Sequence, residues 1–308
     1  MRRVTAIFLL LLTAFFWGGT FVIVKGAVST FDPFAFVSAR FVVSFAFLLL
    51  LRWGEIRRLW KGHLASGIIL GILLGAGFIF QTLGLEHTSA SSSGLITGMN
   101  VVFVAILISA TARKLPGRLT GLGVASATAG LFLVTWKGMP TMSWGDGLTL
   151  VCAIFFALHI VATERLASGK SAAVLTGIEF AVIACVSGLI SLIVEGHGRI
   201  GPHIEAIISS PSLMAAILYC GIPAGALAFL FQTRAQQRVS STETAICLSA
   251  EPVLAAAIAV GVGEDEFTWR IVISAILIFT GMVFSSLEGG HSEGRDTGYV
   301  AAARLSDS

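Results

Sequence analysis

Charge is scarce in this chain of 308 residues: Asp, Glu, Lys and Arg make up 12%, against 56% hydrophobic residues. That balance excludes an ordinary soluble domain. The net charge of +3 is too small and too dispersed for a nucleic-acid surface, so no nucleic-acid partner is expected. Cysteine is sparse as well. Cys152, Cys185, Cys220 and Cys247 lie far apart inside apolar runs, without the CxxC or Cys/His spacing of a metal site. HExxH, GxSxG and phosphate-loop signatures are missing, as is any pair of intramembrane aspartates, so neither an enzyme nor a bound metal or cofactor is expected.

Apolar sequence is abundant. Charge, Gly and Pro cut the chain into ten runs of membrane-spanning length, at about 4–26, 34–51, 64–85, 89–111, 119–137, 147–165, 172–194, 212–236, 239–262 and 268–287. About 20 apolar residues cross a bilayer as a helix. Lipid gives the backbone no hydrogen-bonding partner, and the alternation of a membrane barrel is absent. The expected fold is therefore an all-α polytopic membrane protein with ten transmembrane helices. Arg2 and Arg3 ahead of an apolar stretch imitate a secretion signal. The stretch continues to Val24 without a small-x-small cleavage pattern, which predicts a retained first helix.

Alternating the loops from side to side puts fifteen Lys and Arg residues on one side; Lys25, Lys137, Arg199 and Arg270 fall on the other, and Arg40 alone lies within a span. By the positive-inside rule both termini are expected in the cytoplasm of a bacterial-type inner membrane. The polar tail 289–308 reads as disordered.

The sequence also repeats itself. A shift of 151 carries Phe80-Gln81-Thr82 onto Phe231-Gln232-Thr233, Ser89 onto Ser240, Asn100 onto Glu251 and Gly130 onto Gly281. A shift of 140 carries Phe15-Phe16 onto Phe155-Phe156, and 139 carries Arg40-Phe41 onto Glu179-Phe180. Residues 1–138 and 139–288 thus read as two five-helix repeats. Five is odd, so the second copy enters the membrane from the opposite side and the two halves are inverted, an arrangement typical of transporters.

Polar groups inside spans are costly, about 2.5 to 3.5 kcal/mol for a charge at the helix centre, so they face a partner or a wet cavity. The candidate substrate-binding residues on this ground are Trp17, Asn100, His159 and Glu251, with Arg40, Glu179 and Gln81 as further candidates. Asn100 and Glu251 fall near the midplane at equivalent points of the repeats. Glu251 precedes Pro252, which withholds a hydrogen bond and predicts a kink. Its carboxylate reads as a proton-binding group, a partner for a substrate amine or a cap for loosened backbone. Arg40 suits a carboxylate or phosphate, or a neighbouring helix. Arg40 and Glu179 occupy equivalent positions, which invites a salt bridge, but at opposite depths about 10 Å apart vertically, so the sequence leaves a direct pair open. His159 suits a proton shuttle or a plain hydrogen bond. Protons are thus a candidate coupling ion, which the sequence leaves open. Gly67, Gly71, Gly75, Gly221 and Gly225 form stripes for close helix contact, and Ser89 and Ser240 read as helix caps.

Phe16-Trp17-Gly18-Gly19-Thr20 leading to Lys25, with Glu251-Pro252-Val253-Leu254 leading to Gly263-Glu264, resembles the drug/metabolite transporter superfamily, specifically its EamA-type ten-helix members, over about residues 4–288. The resemblance implies export or exchange of amino acids, other metabolites or toxic analogues through a central cavity between inverted halves. The first half departs from the family pattern. Asn100-Val101 stands where an x-Pro pair is common, and Arg113-Lys114 replaces an acidic end. The expected function is a secondary transporter of small polar metabolites, amino acids or related compounds, working by alternating access. The alternatives are a multidrug or lipid-precursor mover on the same scaffold and an intramembrane enzyme.

Overall fold

The computed structural model describes residues 1–113, 116–135, 143–196, 199–261, 267–284 and 287. Among these every regular element is helical. Gly263-Glu264, Lys114, Lys137 and the tail 289–308 lie outside the described residues. Six helical stretches are long and apolar enough to cross a membrane: Arg3–Val28, Pro33–His87, Ser92–Thr111, Trp144–Leu166, Ala172–Val194 and Pro211–Gln236; Arg118–Leu133 and Trp269–Phe284 are shorter apolar helices.

In chain order the helices are α1 (Arg3–Gly18), α2 (Thr20–Val28), α3 (Pro33–His87), α4 (Ala90–Gly98), α5 (Asn100–Ala112), α6 (Arg118–Thr135), α7 (Trp144–Leu166), α8 (Ala172–Glu195), α9 (Ile200–Ser209), α10 (Pro211–Gly221), α11 (Ala228–Gln236), α12 (Ser241–Leu248) and α13 (Glu251–Gly261), followed by α14 (Trp269–Phe284). A π-helical segment, Ile222–Leu227, joins α10 to α11. Their starts follow local chemistry. Asp32 accepts from the Ala35 amide with Pro33 in the first turn, Ser89 caps α4, and Ser143 with Asp146 and Ser240 with Glu243 form reciprocal capping boxes.

The structure departs from the ten-run reading in three places. The second and third runs form one helix, α3, whose kink is the non-helical Arg52 (φ −134°, ψ 24°). The charged residues that end the apolar run, Arg, Glu and Lys, are good helix formers, so the helix leaves the apolar stretch without stopping. Its limbs fold back until the Phe41 and Phe78 rings lie 5.0 Å apart. Second, α9 fills a stretch read as a connection. Its ten residues measure about 15 Å, half a hydrocarbon core. Ile200, Ile204 and Ile208 line its exposed face, while Ala206 and Ile207 pack towards Phe31 and Leu213. Third, the runs at 4–26, 89–111 and 239–262 are each broken near the middle, at Gly19, at Met99 and at Ser249–Ala250.

Pro252 frees the Leu248 carbonyl, and the break at Ser249–Ala250 falls in the turn before it, as expected of a proline kink; Met99 breaks the first half at the equivalent point with no proline nearby. The dihedrals match: φ −63°, ψ −6° at Met99 and φ −64°, ψ −6° at Ser249.

The glycine stripes set the closest packing. A Cβ at Gly67 would stand 2.6 Å from Ile178 Cβ, and one at Gly71 would stand 2.8 Å from Val182 Cβ, so only glycine admits this approach of α3 to α8. At Gly221 a Cβ would meet the Arg40 carbonyl at 2.9 Å. Between α6 and α14 a Cβ at Gly130 would meet the Ser274 carbonyl at 2.8 Å, one at Gly281 would meet the Gly123 carbonyl at 2.6 Å, and Ser126 Oγ donates to the Leu277 carbonyl at 2.7 Å.

Candidate functional site

The three broken helices meet around a small cavity of about 50 Å³. The breaks place Trp17 and Thr20, Thr97 and Asn100, and Leu248 and Glu251 on its wall, while α3 adds Arg40, Phe78 and Gln81, α7 adds Phe156 and His159, and α11 adds Phe229 and Gln232. Six of the seven sequence-derived candidates, Trp17, Arg40, Gln81, Asn100, His159 and Glu251, line this one space; Glu179 stands behind it, bonded to His159.

Arg40 is 5% exposed. Its guanidinium carbon lies 4.2 Å from the centroid of Phe78 and 4.8 Å from that of Phe41. Its Nε has no hydrogen-bond partner, and among the described residues Arg40 makes no ion pair. Cation–π contacts of this kind contribute about 2 kcal/mol when desolvated. They satisfy none of the N–H donors, which leaves a fork suited to an oxyanion. No direct Arg40–Glu179 pair forms. Glu179 is fully buried and bonds instead to His159, with Nε2 3.1 Å from Oε2. Thr163 Oγ1 lies 3.4 Å from the same nitrogen. The other carboxylate oxygen of Glu179, Oε1, has no partner.

The remaining polar wall is short of donors. Asn100 Oδ1 and Gln232 Oε1 are buried without hydrogen-bond partners. Gln232 Nε2 donates to Gln236 Oε1 at 3.1 Å, and Gln236 Nε2 donates to the Ile160 carbonyl at 2.8 Å. Gln81 Nε2 approaches Thr97 Oγ1 at 3.4 Å. Trp17 Nε1 donates to the Ala224 carbonyl at 2.8 Å, and its ring lies 5.0 Å from that of Phe229. The wall thus carries a cation together with acceptors and aromatic faces, chemistry suited to both charged groups of a small zwitterion.

Sequence reasoning passed over Phe78 and Phe229. Aromatics in an apolar helix look like packing, and these two do pack, 5.7 Å apart and edge to face. The signal that could have found them is the repeat, because 151 residues separate them. Phe156, set aside with the other aromatics, also reaches the wall.

The chain is similar to several known proteins. An "Uncharacterized transporter" of Archaeoglobus fulgidus is 27% identical over 287 residues, covering 93% of this chain and 87% of that protein. The "Uncharacterized transporter YyaM" of Bacillus subtilis is 25% identical, covering 93% of this chain and 95% of that protein. One solved crystal structure superposes with a TM-score of 0.74 at 18% identity, covering 95% of this chain and all of the other, which shows a shared fold. The profile of the EamA-like transporter family matches residues 4–136 and again 143–287. With its apolar helices and this double match, the chain is a multi-pass membrane protein that belongs to the EamA-like transporter family.

Proposed function

We propose that this protein is a secondary transporter that exports or exchanges small polar metabolites, amino acids and related compounds foremost, by opening one central cavity alternately to each side of a bacterial-type inner membrane. The observation that carries the reading is the buried Arg40 guanidinium, set on two aromatic faces at the wall of a cavity that also holds Glu251. A substrate carboxylate would complete the Arg40 fork, and Glu251 or the acceptor oxygens of Asn100 and Gln232 would take an ammonium group. Trp17 and Gln81 would frame the body of the substrate. Protons are the proposed coupling ion, carried by Glu251 or by the His159–Glu179 pair.

In this reading residues 1–138 and 139–288 are inverted five-helix halves, giving ten transmembrane helices with both termini and the tail 289–308 cytoplasmic. The seam between α6 and α14 supports it. Ser126 meets Leu277, its own equivalent at a shift of 151; Gly130 meets Ser274 while Gly281 meets Gly123, the same pair with roles exchanged. Reciprocal contacts of this kind arise across a twofold axis. Because residue numbers rise on one helix as they fall on the other, the axis runs across the helices and not along them. The double family match supports the same division.

A second reading, movement of lipid precursors or hydrophobic cations, is favoured by a separate apolar groove between α2, α9 and α10, lined by residues such as Val22, Ile23, Phe31 and Leu213. Uptake and counterflow in proteoliposomes, against amino acids, nucleosides, sugar phosphates and cationic dyes, separate the two. Counterflow of amino acids that is lost in Arg40→Ala supports the first; flux of dyes alone supports the second. Binding without flux, or a covalent product, would remove both.

A further inference from the structure

Within one pair of equivalent helices the two halves disagree by a single residue. Gly71 and Gly75 of α3 pack on α8 against Glu179, Val182 and Ile183, while Gly221 and Gly225 pack on α3 against Arg40, Val43 and Ser44. These glycine pairs are 150 residues apart, and at a shift of 139 Arg40, Val43 and Ser44 correspond to Glu179, Val182 and Ile183. Just beyond, Phe78, Phe80 and Gln81 correspond to Phe229, Phe231 and Gln232 at a shift of 151. The run Gly75-Ala76-Gly77-Phe78 has become Gly225-Ala226-Leu227-Ala228-Phe229, one residue longer. The extra residue falls in the π-helical segment Ile222–Leu227, and a π-bulge is how a helix absorbs one inserted residue without turning its far end away from its neighbours.

The bulge is bracketed by side-chain donors. Ser44 Oγ donates to the Gly221 carbonyl at 2.7 Å and Trp17 Nε1 to the Ala224 carbonyl at 2.8 Å, while the Thr13 hydroxyl is shared between the Leu9 carbonyl at 2.9 Å and the Ala228 carbonyl at 3.1 Å. Carbonyls loosened from a helix inside a membrane need such partners. The counterparts of these donors at the same repeat shifts are Ile183, Ala157 and Ala153, none with a polar side chain. They belong to α7 and α8, which pack on the unbulged α3. Donors are present where the helix is bulged and missing where it is regular.

We infer that the inserted residue serves the cavity and not the fold: it turns the Ala224 carbonyl towards the Trp17 indole and so fixes that ring against Phe229, making the bulge a positioning element for the substrate-facing Trp17 and a determinant of substrate specificity. For its transport readout the inference rests on the proposed function; its structural readout does not. Deleting one residue from a regular helix rotates all that follows by about 100°, whereas deleting Leu227 restores the spacing of the first half and leaves both flanks seated.

The test compares deletion of Leu227 with deletion of Ile79 from the regular stretch of α3, in protein labelled with 5-fluorotryptophan. The chain has six tryptophans, and Trp17→Phe assigns the fluorine signal of Trp17. The Leu227 deletion is expected to stay folded in the membrane, to move the Trp17 signal alone, and to raise KM for transported amino acids by about tenfold; the Ile79 deletion is expected to abolish the folded protein. Equal behaviour of the two deletions, tolerated or destructive, overturns the inference. So does a folded Leu227 deletion whose Trp17 signal has not moved. Failure of the transport arm alone, with the signal displaced, counts against the proposed substrate and not against the bulge.

Discussion

Arg40 holds a charge where the fold gives it only ring faces. Removing a buried group that lacks hydrogen-bonded partners is often neutral or stabilising for the fold, while removing a substrate's counter-charge is not. Arg40→Met is therefore expected to melt in detergent at or above the temperature of the parent, yet to lose about tenfold or more in affinity for carboxylate-bearing substrates, measured by isothermal calorimetry. A lower melting temperature together with intact binding would mean that Arg40 serves packing. The carboxylates make a second test. Glu251 faces the cavity, and Glu179 sits behind His159 with one oxygen unpartnered. Glu251→Gln or Glu179→Gln is expected to flatten the pH dependence of flux with membrane expression intact; profiles that keep their shape in both variants would remove protons from the cycle. The sequence made these residues visible because charge is rare in it. It hid the pairing of Glu179 with His159 in place of Arg40, since depth along a helix says nothing of rotation about its axis.

Between helices, glycine decides how near two backbones come. Gly71→Ala drives a Cβ to within 2.8 Å of Val182 Cβ and 3.1 Å of the Glu179 backbone, and Gly221→Ala meets the Arg40 carbonyl and Val43. Each is expected to cost about 1 to 3 kcal/mol. Gly26→Ala and Gly62→Ala, helical positions with nothing within 4 Å, are expected to leave the melting temperature unchanged or raise it slightly through helix propensity; thermal unfolding of the four variants checks the contrast. The stripes were readable because glycine every fourth residue has few other uses in an apolar helix. Other features were masked. The charged end of the second run marked where lipid stops, and helix propensity carried α3 straight through it. The break at Met99 has no proline to announce it, while the break before Glu251 is announced by Pro252, which frees the carbonyl of Leu248. The π-segment was written in the sequence as a mismatch of one residue between two repeat shifts, legible only once the glycines and the Phe-Gln-Thr run are compared separately.

Across the molecule, the proposed topology sets residues 55–61 and the N-terminus on one face and α9 on the other. Introduced singly, Arg57→Cys and His203→Cys are expected to react with impermeant reagents from opposite sides of oriented vesicles; labelling from the same side would overturn the inverted arrangement. The all-helical class was legible because hydropathy is a property of long stretches. The cavity as an enclosed space was not, since it depends on where three helices break.

The seam of α6 and α14 carries one last consequence. A surface that meets its own copy is self-complementary, so a gene for residues 1–138 alone would encode a protein whose α6 can dock on α6 of a sister molecule threaded the other way. Under the proposed inverted topology, co-expressed single halves that insert in both senses would then assemble in pairs.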